Sequence, residues 1–181
     1  MSRGFKVHAG LQFALATVAL SAAAYAAVPR LPPFGHEGIL LGVGFALILP
    51  LHAATILRSI ALESRARGFA SSKTNQWRAL KAIPHRVHAL LAGLGLAGAF
   101  LLTGAFSEDS VLQATDTVQG RYYAVDTSDS ERQRVEVTRS QYEALSKQGQ
   151  RSMLVIYGLI AAGGGAVTLV FAKLDEWAGR P

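Results

Sequence analysis

Polar and apolar positions divide this chain into long blocks. Val7–Pro29, Gly38–Leu57, Val87–Ser107 and Ser152–Ala172 contain no Asp, Glu, Lys or Arg, and the charges crowd into the segments between them. A soluble helix or strand interleaves polar with apolar residues, because each element must keep one wet face. Here whole windows lack such a face. Each window is about 20 residues long, and at ~1.5 Å per residue such a helix covers the ~30 Å hydrocarbon core of a bilayer. The pattern therefore predicts four transmembrane helices. A β-barrel would need alternating segments of ~10 residues, which these windows lack. Buried in a soluble protein, four such helices would leave only loops to make the surface.

The segments between the windows carry their own signals. Pro29, Pro32, Pro33 and Gly35 predict a tight turn that makes the first two spans antiparallel neighbours. Pro50 is expected to kink the second span. The loop 58–86 is predicted to hold a surface helix, with Trp77, Leu80, Ile83 and Pro84 as its apolar side and Arg78, Lys81 and Arg86 as its basic side. Small residues recur at four-residue spacing in Gly38-Gly42-Ala46, Ala89-Gly93-Ala97 and Gly158-Ala162-Ala166. Stripes of this kind let helix backbones approach closely. They suit the interior of one bundle, and equally the seam of a homo-oligomer.

The longest polar segment lies between the third and fourth windows. Its beginning, Ser107–Gln119, reads as a polar linker or a short helix. Arg121–Val125 and Arg134–Thr138 read as two strands of a β-hairpin around the turn formers Asp126–Ser130. Tyr123 and Val125 are expected to share a face with Val135 and Val137. Ser140 and Glu143 have capping-box spacing and predict a short helix Gln141–Gln148, with Gly149 as a break or bend. An isolated hairpin is marginal in water, so Tyr122, Tyr123 and Tyr142 must bury against each other, the helices or a partner. The fold class expected is an all-α membrane protein: a four-transmembrane-helix bundle with a small extracytoplasmic β-hairpin and short helix between spans three and four. Residues 1–106 supply three spans and the basic loop 58–86, residues 107–151 the extracytoplasmic loop, and residues 152–181 the last span and tail.

Charge then orients the bundle. The net charge is +6, yet its distribution argues against a nucleic-acid partner. The loop 58–86 holds Arg58, Arg65, Arg67, Lys73, Arg78, Lys81 and Arg86 against the single acid Glu63. Basic residues concentrate on the cytoplasmic side of membrane proteins and face anionic headgroups there. Both termini are therefore expected in the cytoplasm of a multi-pass cell-membrane protein, and the alanine-rich composition is of a bacterial kind. The small residues Ala22–Ala27 resemble a signal-peptide cleavage region, but the apolar run before them exceeds the ~7–15 residues of a signal core. An uncleaved first span is expected. The chain has no cysteine, so it has neither disulfides nor thiolate chemistry.

Candidate chemistry inside the windows is confined to histidine. His52 sits six residues before Arg58, about 9 Å inside the basic boundary by helix rise. His85 and His88 open the third span, His8 opens the first, and His36 lies at the opposite side. His52 and His88 are the pair that could hold haem b, although their depths differ by about one helical turn. Neither a metal nor a cofactor is the primary expectation. No G-x-S-x-G, H-E-x-x-H, Walker or dinucleotide motif occurs, and no histidine accompanies the serines and acids of the outer loop. The expectation is a non-catalytic protein of the lipid bilayer that acts by association, as an accessory subunit, scaffold or protective factor. Its partner would be another membrane or extracytoplasmic protein, met by Arg121, Tyr122, Tyr123, Arg134 and Tyr142, residue types enriched at binding hot spots. The alternative is a membrane redox or metal-handling protein built on the cytoplasmic-leaflet histidines.

Overall fold

A computed structural model describes residues 2–29, 31–34, 37–106, 112–127 and 133–179. Gly35 and His36, the segment 107–111 and the hairpin tip 128–132 lie outside the described residues. The elements run α1 (Arg3–Ala26), α2 (Glu37–Arg65), α3 (Lys73–Lys81), α4 (His85–Phe106), β1 (Leu112–Val118), β2 (Arg121–Asp126), β3 (Arg134–Val137) and α5 (Arg139–Ala178). Four helices, α1, α2, α4 and α5, are long and apolar enough to cross a membrane. They coincide with most of each of the four charge-free windows.

The basic segment folds as a helix extension, a turn and a surface helix. α2 continues past Arg58 to Arg65 because Leu62 is still on its inner face, packed with Ala70, Ala79 and Leu174. The Glu63 carboxylate then accepts hydrogen bonds from the backbone N–H groups of Gly68, Ala70 and Ser71, which closes the turn. α3 is the expected surface helix. Its Leu80, with the Ile83 that follows it, packs against Ala9, Val87 and Leu169, while Trp77 remains exposed.

α5 is the axis of the structure and buries the largest share of its residues; α2 and α4 bury the smallest. It packs on α1 along most of their shared length and also touches α2, α3 and α4. Small residues make the approach possible. A Cβ on Gly158 would lie 2.7 Å from Leu20 Cγ and 3.3 Å from the Ala16 carbonyl oxygen. Gly98 of α4 receives Leu159, Gly44 of α2 lies under the Tyr157 ring, and Gly165 faces Phe13. The Gly158-Ala162 stripe thus works inside the bundle. The other two stripes do not. Gly42 and Ala46 on α2, and Ala89, Gly93 and Ala97 on α4, point outward. The inward face of α2 instead carries Gly44, Ile48, His52 and Thr55, because that face also holds the span's polar side chains.

The polar segment differs from the expected hairpin and short helix in four respects. The stretch read as a linker or helix contains a strand, β1, so the sheet has three strands in the order β1-β2-β3. Gln119 and Gly120 both have positive φ, 50° and 78°, the pattern of a type I′ turn whose twist matches that of the strands. The register places Tyr122 opposite Val137 and Ala124 opposite Val135, so the Val135/Val137 face includes Tyr122 and Ala124, not Tyr123 and Val125. A slip of one residue exchanges faces. Finally, the helix starts two residues early. Thr138 is its N-cap in a capping box with Gln141, and it runs through Gly149 without a break. Thr-x-x-Gln satisfies the same two backbone donors as Ser-x-x-Glu, and it lies directly at the end of β3.

These contacts give a clean comparison of two glycines in one helix. Gly158→Ala forces Leu20 and the α1 backbone apart and is expected to cost ~1–3 kcal/mol. Gly163→Ala meets nothing within 4 Å. It is expected to be neutral or to stabilise by up to ~1 kcal/mol through helix propensity. Unfolding of both variants in mixed micelles measures the contrast; equal effects would contradict the assigned helix face.

Candidate functional site

Two constellations concentrate the polar chemistry of the described residues: a buried line of side chains within the helices, and the sheet with its mounting on α5. The first begins at the basic end. The Arg58 guanidinium lies over the Phe5 ring and donates to His8 Nδ1 at 2.8 Å. His8 Nε2–H donates to the Leu51 carbonyl at 2.9 Å, which fixes the neutral tautomer. Thr55 and Thr168 hydroxyls meet at 2.9 Å across the α2–α5 interface, and Thr168 donates to Gln12 Oε1 at 2.9 Å. Thr55 also lies 3.1 Å from the Leu51 carbonyl, so both of its roles are local to this line.

The line ends at Gly164. His52 Nδ1–H donates to the Ile48 carbonyl at 3.0 Å, which leaves Nε2 as an acceptor. A Cβ on Gly164 would lie 2.7 Å from His52 Nε2 and 2.9 Å from Gln12 Nε2. Gln12 is fully buried, and its Nε2 is the buried side-chain nitrogen without a partner among the described residues. An acceptor on α2 and an unpaired donor on α1 therefore converge over one glycine of α5. Sequence reading singled out His52 but missed Gln12, Thr55 and Thr168. A signal for Gln12 was present, since it is the one Asn or Gln in any of the four charge-free windows.

The histidine pair is not brought together. His52 Nε2 faces α5 at close range, whereas His88 lies on α4, which does not pack on α2 among the described residues. His88 lies beside His85 instead, with ring centroids 6.4 Å apart. Gly164 of α5 lies on the side on which His52 Nε2 is free. No group of three or more His, Asp or Glu side chains suited to a metal occurs among the described residues.

The second constellation joins the sheet to the outer half of α5. Tyr122 and Tyr142 rings pack at 5.3 Å between sheet and helix, and Ala124 is fully buried beside them. On the opposite face, Arg134 donates to both carboxylate oxygens of Asp116 at 2.9 Å and lies 3.9 Å over the Tyr123 ring. Arg121 meets Glu136 at 3.5 Å. The five expected recognition residues thus separate by face: Tyr122 and Tyr142 hold the sheet to α5, while Arg121, Tyr123 and Arg134 occupy the outer surface. Asp116 and Glu136 join them there, both opposite Tyr123.

Below the sheet, α5 clamps the neighbouring connections. Gln150, fully buried, accepts from the Phe34 N–H at 2.8 Å and donates to the Phe34 carbonyl at 2.6 Å. Lys147 donates to the carbonyls of Val28 and Pro29, and Arg151 to that of Leu101. The turn after α1 and the end of α4 are thereby tied to the same helix that carries the sheet.

Comparisons of the chain with protein-family models, with curated proteins and with solved structures give no match.

The buried line predicts a coupled pair. Thr168→Val leaves the Gln12 amide buried with no partner and is expected to cost ~1–3 kcal/mol. Adding Gln12→Leu removes the stranded amide, so the double variant is expected to be more stable than the sum of the single effects. Unfolding of the four proteins in mixed micelles completes the cycle, and simple additivity would contradict the network.

Proposed function

We propose that this is a multi-pass membrane protein with four spans, both termini cytoplasmic, that acts by association through the outer face of its sheet. The membrane reading is supported by four helices of spanning length and by the apolar side chains they expose, among them Val18, Leu49, Leu57, Leu96 and Phe100. The orientation is supported by the cationic character of the end formed by Arg58, α3 and the loop around it.

One observation carries the association reading: the sheet is fixed by one face and open on the other. Tyr122, Ala124 and Tyr142 commit the inner face to α5, and the capping box and Gln150 clamp tie α5 to the rest. The outer face presents Arg121, Tyr123, Arg134, Asp116 and Glu136 as a preordered row of aromatic and charged groups. Exposed ion pairs of this kind contribute only ~0–1 kcal/mol each to stability, so the row is weakly accounted for as a folding device. Arg and Tyr held in place lose little further freedom on binding, which favours recognition of a polar protein surface. The role that follows is that of an accessory subunit, scaffold or protective factor in a membrane complex. The redox or metal-handling alternative gains nothing from the separated His52 and His88.

Two measurements test the proposal. With no native cysteine, Ser71→Cys and Thr117→Cys report topology through an impermeant thiol reagent. In intact cells Thr117→Cys is expected to label and Ser71→Cys to stay protected; the opposite pattern reverses the orientation. A photo-crosslinking amino acid at position 121 or 123 is expected to give a discrete protein adduct in native membranes. The same group at Leu96, on an apolar outward face, is expected to give lipid adducts alone. Sheet positions that yield no protein adduct would remove the association reading.

A further inference from the structure

Between α3 and the basic end of α5 lies a groove of about 380 Å³, within the ~300–1,000 Å³ typical of small-ligand sites. Its walls are apolar: Trp77 and Leu80 from α3, and Val167, Val170 and Phe171 from α5. Lys73 and Gln76 form its polar margin. We propose that this groove binds one acyl chain of an anionic phospholipid, with the lipid phosphate held by Lys73. The inference rests on the membrane reading above and adds a specific lipid site to it.

Depth is the first argument. Val167, Val170 and Phe171 belong to the last turns of the charge-free window that ends at Ala172, and Lys173 follows directly. The groove therefore spans the level at which acyl chains give way to headgroups. Val167 and Trp77 are exposed at its edge, so a lipid can enter sideways from the bilayer. The walls are also preformed. Ala79 of α3 packs with Leu62, Ala70 and Leu174, and Leu80 packs against the cluster of Ala9, Ile83 and Leu169. No rearrangement is needed to open the site.

Charge is the second argument and selects the headgroup. α3 carries Lys73, Arg78 and Lys81 and no acid. Glu63, the one acid of the basic loop, is committed to the N–H groups of Gly68, Ala70 and Ser71. Asp175 and Glu176 at the end of α5 are paired with Arg65 and Lys173. Lys81 Nζ lies 5.1 Å over the Trp77 ring, and neither Lys73 nor Arg78 has an ion-pair partner among the described residues. An unneutralised cation beside an apolar groove at headgroup level matches a phospholipid that carries net negative charge.

The full chain in nanodiscs containing phosphatidylglycerol and phosphatidylcholine provides the test, with native mass spectrometry reading the lipid retained after gentle release. Wild type is expected to retain one phosphatidylglycerol in preference to phosphatidylcholine. Lys73→Gln is expected to reduce that preference about fivefold, the factor equivalent to ~1 kcal/mol per basic residue at an anionic surface. Val170→Trp fills the groove and is expected to abolish retention of either lipid. A Trp177→Phe background makes Trp77 the sole tryptophan, and brominated phosphatidylglycerol should then quench it more than brominated phosphatidylcholine, independently of any variant that folds poorly. Equal retention and equal quenching by the two lipids would overturn the proposal, as would a groove occupied by a second copy or a peptide. Extraction of the protein by alkaline carbonate would overturn the membrane reading itself; membrane retention without lipid preference would overturn only the groove.

Discussion

The neighbouring helices can pack on α5 only where a side chain is missing to let them approach. Among the described residues, each glycine where a Cβ would fall within 3 Å of a neighbouring group lies on α5 or faces it: Gly44, Gly98, Gly104, Gly158, Gly164 and Gly165. In a bilayer, burying apolar surface between helices gives little advantage, since the lipid is as apolar as the partner helix. Dispersion and hydrogen bonding must hold the bundle, and both require short distances. Replacing these glycines by larger residues would move α1, α2 and α4 away from their common axis. The same helix then carries the sheet, so helix packing and the placement of the outer surface are one problem.

The polar groups inside the helices follow from the same geometry. Thr168 can bridge Gln12 and Thr55 because α1, α2 and α5 meet where α5 is narrow. A polar side chain in an apolar surrounding is costly unless it is hydrogen-bonded, so Thr55, Thr168, His8 and His52 all find partners within the bundle. Gln12 Nε2 is the exception, and it lies beside the acceptor nitrogen of His52 at Gly164. That junction combines a donor, an acceptor and the space of a missing side chain. Its partners on three helices make it a lock between them.

Much of the architecture was legible in the sequence because the charge-free windows, the prolines after the first and the basic loop after the second are coarse, additive signals. The surface helix with Trp77 and the strand pair Arg121–Val125 and Arg134–Val137 were legible for the same reason. What failed was the choice among faces. Gly42-Ala46 and Gly93-Ala97 have the right spacing but point outward, and Gly44 and Gly98 do the packing. The polar residues His52 and Thr55 would have selected the correct face of α2, since they share it with Gly44 and Ile48. β1 was missed because Leu112–Val118 has weak strand propensity and depends on pairing with β2. The early start of α5 was missed because two capping boxes overlap, and only the end of β3 decides between them. For the residues expected to meet a partner, the faces were not legible, since they depend on a one-residue register.

A single continuous helix, α5, couples the sheet to the apolar bundle. Hydrogen–deuterium exchange of the full chain in nanodiscs, resolved across residues 139–155, tests it most directly. If α5 is unbroken, amides from Glu143 through Ser152 should show continuous protection that passes smoothly over Gly149 into the apolar stretch. Rapid exchange confined to Gly149 and Gln150, between two protected segments, would instead show a short helix hinged on a separate span.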